Sequence, residues 1–322
     1  MSVHVLSPGM ATSIQAGPRR GWRHLGVAAA GAVDTYSHAI ANLLVGNPVD
    51  APALEITLAG PTLRFEQPVR IALCGAGIEA RANGTTVPGW RPAMLPEGAE
   101  LALGHCRTGA RAYLAVSGGF QGAEVMGSTS TDLGTGFGGF AGRCLARGDR
   151  LGLAQPAQDR ASGVRVARWW IDHTPDLDFG HSPHAVRILP GEGAGEPSPD
   201  LLGATWTVSA ASNRQGLRLL GPPLEAGRGE LLPSEPVTPG TIQLPPDGLP
   251  IVLLADAQTH GGYARAGHVI LADRPRMSQL RPGDSLRFVA CTRQQARQAL
   301  RDQRRRLQRI ALAIHARDHA HA

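Results

Sequence analysis

The richest concentration of chemistry-bearing residues lies in Leu232 to Asp284, where two apolar runs, TIQL and LPIVLLAD, flank Gln243, Asp256, Gln258, Thr259, His260, Gly261, Gly262 and Tyr263. Amide side chains offer both donors and acceptors, and Asp256 offers a carboxylate. Two glycines after a strand exit let the backbone come close to a partner, because no Cβ intervenes. A ligand-facing turn has this pattern. So does the corner of a β-barrel, which the pattern by itself favours.

A second concentration is MGSTSTDLGTGFGGFAGR, residues 126–143, with Ser128, Thr129, Ser130, Thr131 and Asp132 beside glycines and then Arg143. Hydroxyls and backbone amides suit a carboxylate or amide ligand, and an arginine can grip a carboxylate with two parallel hydrogen bonds. A surface loop is the competing reading. His24 sits among Arg19, Arg20 and Arg23, which reads as an anion-binding edge or a polar turn. Asn213 and Arg214 follow the strand-like TWTVSA and suit a pocket or an ordinary turn.

Other patterns exclude chemistry. GEGAGEP at 191–197 carries two glutamates and a proline where a phosphate loop needs free N–H groups, so it reads as a plain loop. No GxxxxGK[ST] is present, and the chain has no lysine at all. His173, His181 and His184 match no metal-ligand spacing. Cys74, Cys106, Cys144 and Cys291 form no CxxC pair, which suits reduced thiols and a cytoplasmic setting.

The elements that position these residues are mostly strands. With 41 glycines, 25 prolines and only 18% charged residues, the chain reads as β-rich with many tight turns. At 322 residues, two subdomains are expected rather than one core. GAVDTYSHAIANLLVGN predicts a helix capped by Asp34 and ended at Gly46-Asn47. ALEITLAGPTLRF reads as a half-buried strand, VRIALCG and ARAYLAVSGG as deeply buried ones. A weak repeat places a glycine turn before a strand at Pro96-Glu97-Gly98, Gly148-Asp149 and Gly283-Asp284, and Gly-Gly-aromatic occurs at 118–120 and 261–263. The expected division is 1–160 and 161–290, with an Arg-rich tail at 291–322.

The net charge of +6 is confined to that tail, since residues 293–322 hold eight arginines and two aspartates. Apolar residues at helical spacing (Ala296, Ala299, Leu300, Leu307, Ile310, Ile314) make it a solvated terminal helix rather than a nucleic-acid or membrane binder. Docking on an acidic partner protein is the alternative use of its arginines. No basic start followed by an apolar run is seen, and no stretch nears the roughly 18 apolar residues of a membrane span.

Several longer segments recur together in one known family: GxxHLGVxxxGAxD at 21–34, ANLLVGNPxDAPALEITLxGPTLRF at 41–65, GSTSTDL at 127–133, FGGFAGRxLxxGD at 137–149, SNRQGLRLxG at 212–221, and the segment that begins SEPVTPGTIQL. The chain resembles the biotin-dependent carboxyltransferase family that includes the C subunit of 5-oxoprolinase, the KipI antagonist KipA and allophanate hydrolase subunit 2. The resemblance implies cyclophilin-like β-barrel subdomains with few short helices. It implies as partners a KipI-like B subunit of 5-oxoprolinase, together with the A subunit of that enzyme. The implied reaction is ATP-dependent opening of the 5-oxoproline lactam to glutamate. Alternatives within the family are a carboxyltransferase component acting on urea or a related amide, and a non-enzymatic KipA-like antagonist of a regulatory partner. ATP would be handled by the complex. Biotin would arrive on another chain, because this one has no lysine to carry it.

Position by position, the resemblance implies a pocket of Gln15, Arg19, Ser128, Ser130, Thr131, Arg143, Asn213, Arg214, Gln243, Gln258, Gly261, Gly262 and Tyr263. Asp34, Asp132 and Asp256 are its carboxylates able to activate water. The chain departs from the family pattern at Ala16, where an Asp is usual, at Thr129, where an Arg is usual, and at His260, where a Thr is usual.

Overall fold

A computed structural model describes residues 2–154, 162–174, 177, 182–191, 197–225 and 233–319. The chain divides into two units, and the division is not linear. Unit 1 comprises 1–19, 30–177 and 306–322, and unit 2 comprises 20–29 and 178–305.

In unit 1 the strands are β1 (Ser2–Ser7), β2 (Ala11–Gln15), β3 (Ala53–Thr57), β4 (Thr62–Phe65), β5 (Val69–Ala82), β6 (Thr85–Thr86), β7 (Pro92–Leu95), β8 (Glu100–Val116), β9 (Arg150–Gly152) and β10 (Arg165–Val166). They form one ten-stranded sheet in the order β10-β7-β5-β8-β4-β1-β9, with β2 joined through β3 to β8 and β6 on β5. The long β5–β8 ribbon runs antiparallel from Ile71↔Val116 to Ala82↔Leu101, with register shifts between Gly75 and Ala80. Such bulges bend and coil a ribbon, which lets strands this long wrap a core. Val3, Val5, Leu54, Ile56, Phe65, Leu114 and Leu151 pack into that core.

Helix α1 (Thr35–Leu44) starts as its sequence dictates. Asp34 Oδ1 accepts from the backbone N–H groups of Tyr36 and Ser37, and Oδ2 accepts from the Ser37 hydroxyl at 2.6 Å. Gly46 follows the helix at φ 82°, a left-handed backbone that a residue with a Cβ rarely adopts. Strand β3 is more buried than its alternation suggests: Glu55 is 2% exposed, beside Leu54 and Ile56 at 0%.

Unit 2 is built on a closed seven-stranded barrel. Its strands are β11 (His184–Leu189), β12 (Trp206–Val208), β13 (Gly216–Leu220), β15 (Thr241–Leu244), β16 (Ile251–Leu253), β18 (Ala264–Val269) and β19 (Ser285–Ala290), ordered β11-β18-β15-β16-β13-β12-β19. A parallel pairing of β19 with β11, His184↔Leu286 to Ile188↔Ala290, closes the ring. Closure leaves no free edge. Alternate residues Val186 and Ile188, Leu217 and Leu219, and Leu286 and Phe288 are buried, as the two-residue period of strands requires. A separate pair, β14 (Glu235–Pro236) and β17 (His260–Gly261), lies outside the ring. Short helices α2 (Pro199–Gly203) and α3 (Arg274–Ser278) complete the unit.

The repeated glycine turns hold in three dimensions. Gly98, Gly148 and Gly283 have φ of 74°, 88° and 91°, and β8, β9 and β19 each begin two residues later. The tail forms helix α4 (Arg293–His319). Of its apolar positions Ile314 is buried, and Ala296, Ala299, Leu300, Leu307 and Ile310 are half-buried. Arg293, Arg297, Arg301, Arg304, Arg305 and Arg309 are exposed. Among the described residues no helix is long and apolar enough to cross a membrane. Most of GEGAGEP, His181 and all of 155–161 lie outside the described residues.

Candidate functional site

In unit 1, the serine-threonine loop is not a surface loop. Ser130 and Thr131 are fully buried, and Ser128 and Asp132 nearly so. The loop is laced to the end of β2. Thr131 donates through both its backbone N–H and its hydroxyl to the Ile14 carbonyl, at 3.0 and 2.9 Å. Ser128 Oγ donates to the Gly17 carbonyl at 2.7 Å, and Ser130 Oγ accepts from the Ala16 N–H at 2.9 Å. Arg19 runs through the same region. Its Nε donates to the Val125 carbonyl, its Nη2 donates to the Ser130 carbonyl, and its guanidinium lies 4.6 Å from the centre of the Phe137 ring. These hydroxyls and this arginine therefore hold the loop in place.

Two acceptors in this cluster face no donor among the described residues. Gln15 donates through Nε2 to Ser13 Oγ and the Thr131 carbonyl, while its buried Oε1 has no partner. Asp132 accepts through Oδ1 from the N–H groups of Gly134 and Thr135, while its buried Oδ2 has no partner. An unmatched buried acceptor costs about 1–3 kcal/mol, so such atoms are retained where a ligand or water completes them. Of the three candidate carboxylates, Asp132 keeps an oxygen open, whereas both oxygens of Asp34 and of Asp256 are engaged.

Asp34 belongs to a buried network that the sequence does not announce. The Tyr113 hydroxyl donates to Glu55 Oε2 at 2.7 Å and accepts from the Asp34 backbone N–H at 2.8 Å. Burial, reinforced by the charges of Glu55 and Asp34, pushes the Tyr113 hydroxyl well above its usual range. Next to it, His38 hydrogen-bonds through Nε2 to the Gln15 carbonyl, and burial lowers its pKa. Arg143 stands apart from these contacts. It is half-exposed and forms a two-pronged bond with Asp149, Nη1 to Oδ2 at 2.7 Å and Nη2 to Oδ1 at 2.8 Å. That hydrogen bond raises the Arg143 pKa and lowers that of Asp149.

In unit 2, the strand-exit residues gather. Arg214 and Asp256 form a near-buried two-pronged ion pair, with side-chain exposures of 11% and 3%. Asn213 caps its own turn, its Oδ1 accepting from the Gln215 and Gly216 N–H groups. Gln243 is 1% exposed on β15 and accepts from Gln258 Nε2 at 3.1 Å. A Cβ on Gly261 would lie 2.4 Å from Gln243 Nε2, so glycine is what admits the amide there. Gly262 is half-buried and Tyr263 is 43% exposed. His260 Nδ1 meets the Thr259 hydroxyl at 2.9 Å. Arg23, from the stretch whose sequence reads as an anion-binding edge or a polar turn, donates to the Val237 and Gln258 carbonyls at 2.5 and 3.2 Å. Nothing local in the sequence places Arg23 against residues more than two hundred positions away.

Each unit thus holds a buried polar cluster with unmatched hydrogen-bonding groups, among them the acceptors Gln15 Oε1 and Asp132 Oδ2 in unit 1 and the donors Gln243 Nε2 and Arg23 Nη1 in unit 2. This inventory suits a small polar molecule such as an amide, and among the described residues no three His, Cys, Asp or Glu side chains gather as a metal would need.

Comparison with known proteins shows the family. The chain is 41% identical over 318 residues to the C subunit of 5-oxoprolinase from Escherichia coli, covering 97% of this chain and 98% of that protein. It is 36% identical over 305 residues to a putative urea carboxylase of Emericella nidulans, covering 90% of this chain but 24% of that protein. The crystal structure of the K. lactis urea amidolyase matches with a TM-score of 0.87 at 29% identity, over 96% of this chain and 20% of that one. Residues 25–290 match the family described as carboxyltransferase domain, subdomain A and B. With its closed barrel, its ordered sequence segments and these matches, the chain belongs to the carboxyltransferase-domain family that includes the C subunit of 5-oxoprolinase.

Proposed function

We propose that this chain is the C-type subunit of a cytoplasmic, ATP-dependent 5-oxoprolinase, in which it acts with an A subunit plus a KipI-like B subunit. The observation that carries this reading is the 41% identity to the C subunit of a 5-oxoprolinase, which spans 97% of the chain and 98% of that relative. The reaction breaks the lactam C–N bond, adds water's oxygen to the carbonyl carbon and leaves the nitrogen as the amine of glutamate. A resonance-stabilised amide resists water, which is why ATP, handled by the complex, is needed.

Within unit 1, Asp132 is the carboxylate suited to take a proton from water, because its Oδ2 is buried and open. Gln15 Oε1 is an acceptor suited to a lactam N–H. Within unit 2, Gln243 Nε2 is a buried open donor suited to an oxygen acceptor of a small ligand. Gln258 and Gly261 set its position, and Arg214, Asp256 and Asn213 brace the strand exit behind it.

The carboxyltransferase reading is favoured by the 36% identity to a putative urea carboxylase and by the TM-score of 0.87 to a urea amidolyase. In that reading the substrate is urea or a related amide, and biotin is supplied on another chain. The two readings separate when the chain is purified with its partner proteins. ATP-dependent glutamate release from 5-oxoproline supports the first, and urea carboxylation that depends on a biotinylated carrier replaces it. Tight partner binding with neither activity indicates a KipA-like antagonist.

A further inference from the structure

At the strand exits of unit 2, Arg23 is a cation held without a carboxylate partner among the described residues. Its Nη2 is held by two backbone carbonyls, those of Val237 and Gln258. Neutral acceptors orient a guanidinium without supplying a counter-charge. Its Nη1 is buried and has no hydrogen-bond partner among the described residues. Burial lowers the Arg23 pKa, as it does for a cation lacking a carboxylate beside it. The acidic side chains nearest in the chain to its anchors are already committed. Asp256 is paired with Arg214, and Glu235 with Arg265.

Gln258 ties a second open donor to the first. Its carbonyl receives Arg23, and its Nε2 donates to Gln243 Oε1 at 3.1 Å. That bond orients the Gln243 amide, whose Nε2 is also buried and unmatched. The set is made of donors only, and it carries one positive charge. A neutral carbonyl would satisfy the hydrogen bonds and leave the charge. A carboxylate satisfies both.

We infer that Arg23, linked through Gln258 to Gln243, binds the carboxylate group of a small ligand in unit 2. The inference rests on the lactam reading only in the choice of 5-oxoproline, a carboxylated lactam, as the natural probe. It sets the specificity of the site: a ring of the same size without its carboxylate should be a poor ligand.

The test is calorimetric titration of the full-length chain with 5-oxoproline, with 2-pyrrolidinone (the same ring lacking the carboxylate) and with acetate. The unaltered chain is expected to bind 5-oxoproline about tenfold or more tightly than 2-pyrrolidinone, the size of a lost charged hydrogen bond. Arg23→Gln should remove that preference, and Arg23→Lys should restore part of it. Should Arg23→Gln fail to fold, the preference in the unaltered chain and its change in Arg23→Lys still decide the matter. Arg23-dependent binding of acetate without any binding of 5-oxoproline keeps the carboxylate site and removes the lactam reading. Failure of the unaltered chain to bind any carboxylate, or carboxylate binding as strong in Arg23→Gln as in the unaltered chain, overturns the inference even if the complex opens the lactam.

Discussion

Arg214 and Asp256 face each other as two parallel hydrogen bonds, Nε to Oδ2 at 2.8 Å and Nη2 to Oδ1 at 2.9 Å. The Asp256 backbone N–H also donates to the Arg214 carbonyl at 3.0 Å. The side chains and backbones of the two strand exits are thus locked together. Losing one member of a buried pair leaves an uncompensated charge, which costs about 3–5 kcal/mol. Asp256→Ala should lower the unfolding free energy by about 3 kcal/mol, while a double change of Arg214→Met with Asp256→Leu should cost distinctly less. Denaturant unfolding of the three proteins checks this, and a single variant as stable as the parent would contradict the pairing.

Gly261 tests the placement of Gln243. The amide that a new methyl would strike is the end of a flexible side chain, so Gly261→Ala should cost no more than about 1 kcal/mol in unfolding free energy. The same change should turn Gln243 away from Gln258 and weaken ligand binding about tenfold, a lost hydrogen bond's worth. A large loss of stability with unchanged binding would show that the glycine serves the fold alone.

Asp34 separates capping from chemistry. Asn caps a helix about as well as Asp, whereas Ala costs roughly 1–2 kcal/mol. Asp34→Asn should therefore melt close to the parent and Asp34→Ala clearly below it. If the carboxylate only caps, Asp34→Asn also keeps the activity of the complex. Loss of activity without loss of stability would instead give Asp34 a direct part in the reaction.

His268 predicts a pH dependence of stability. Burial, with the Arg274 guanidinium next to it, pushes the imidazole down from about 6.5 to about 4. Arg274 Nη2 lies 3.1 Å from its Nε2, so the ring is held neutral. As pH falls through 6.5 the unfolded chain takes up a proton that the folded chain refuses until about 4, so stability must fall across that window. His38, lowered by burial, acts in the same direction. His268→Gln keeps an acceptor for Arg274 and removes the titration. Its melting temperature should drop less between pH 6.5 and 4 than that of the parent, and equal slopes would rule the effect out.

What the sequence made legible was local. The Asp34 cap, the Gly46 stop and the glycine turns before β9 and β19 depend on neighbours a few residues away, and all stand as expected. What it hid was long-range. Ser and Thr beside glycine suggest solvent, yet Ser130 and Thr131 are buried because the carbonyls of Ile14 and Gly17, more than a hundred residues earlier, accept from them. Glu55 occupies a polar slot of an alternating strand, yet Tyr113 and Arg111 draw it into the interior. No local pattern announces that 20–29 groups with unit 2, and so Arg23 reads in the sequence as part of an anion-binding edge or a polar turn.

The most direct test of the assignment is reconstitution. The chain is co-purified with the A and B subunits of its complex, and glutamate and ADP are followed after addition of 5-oxoproline and ATP. Both products are predicted to appear together, and both to depend on this chain and on Asp132. An intact, stable complex that releases no glutamate, or one that releases it equally well without this chain, would contradict the assignment.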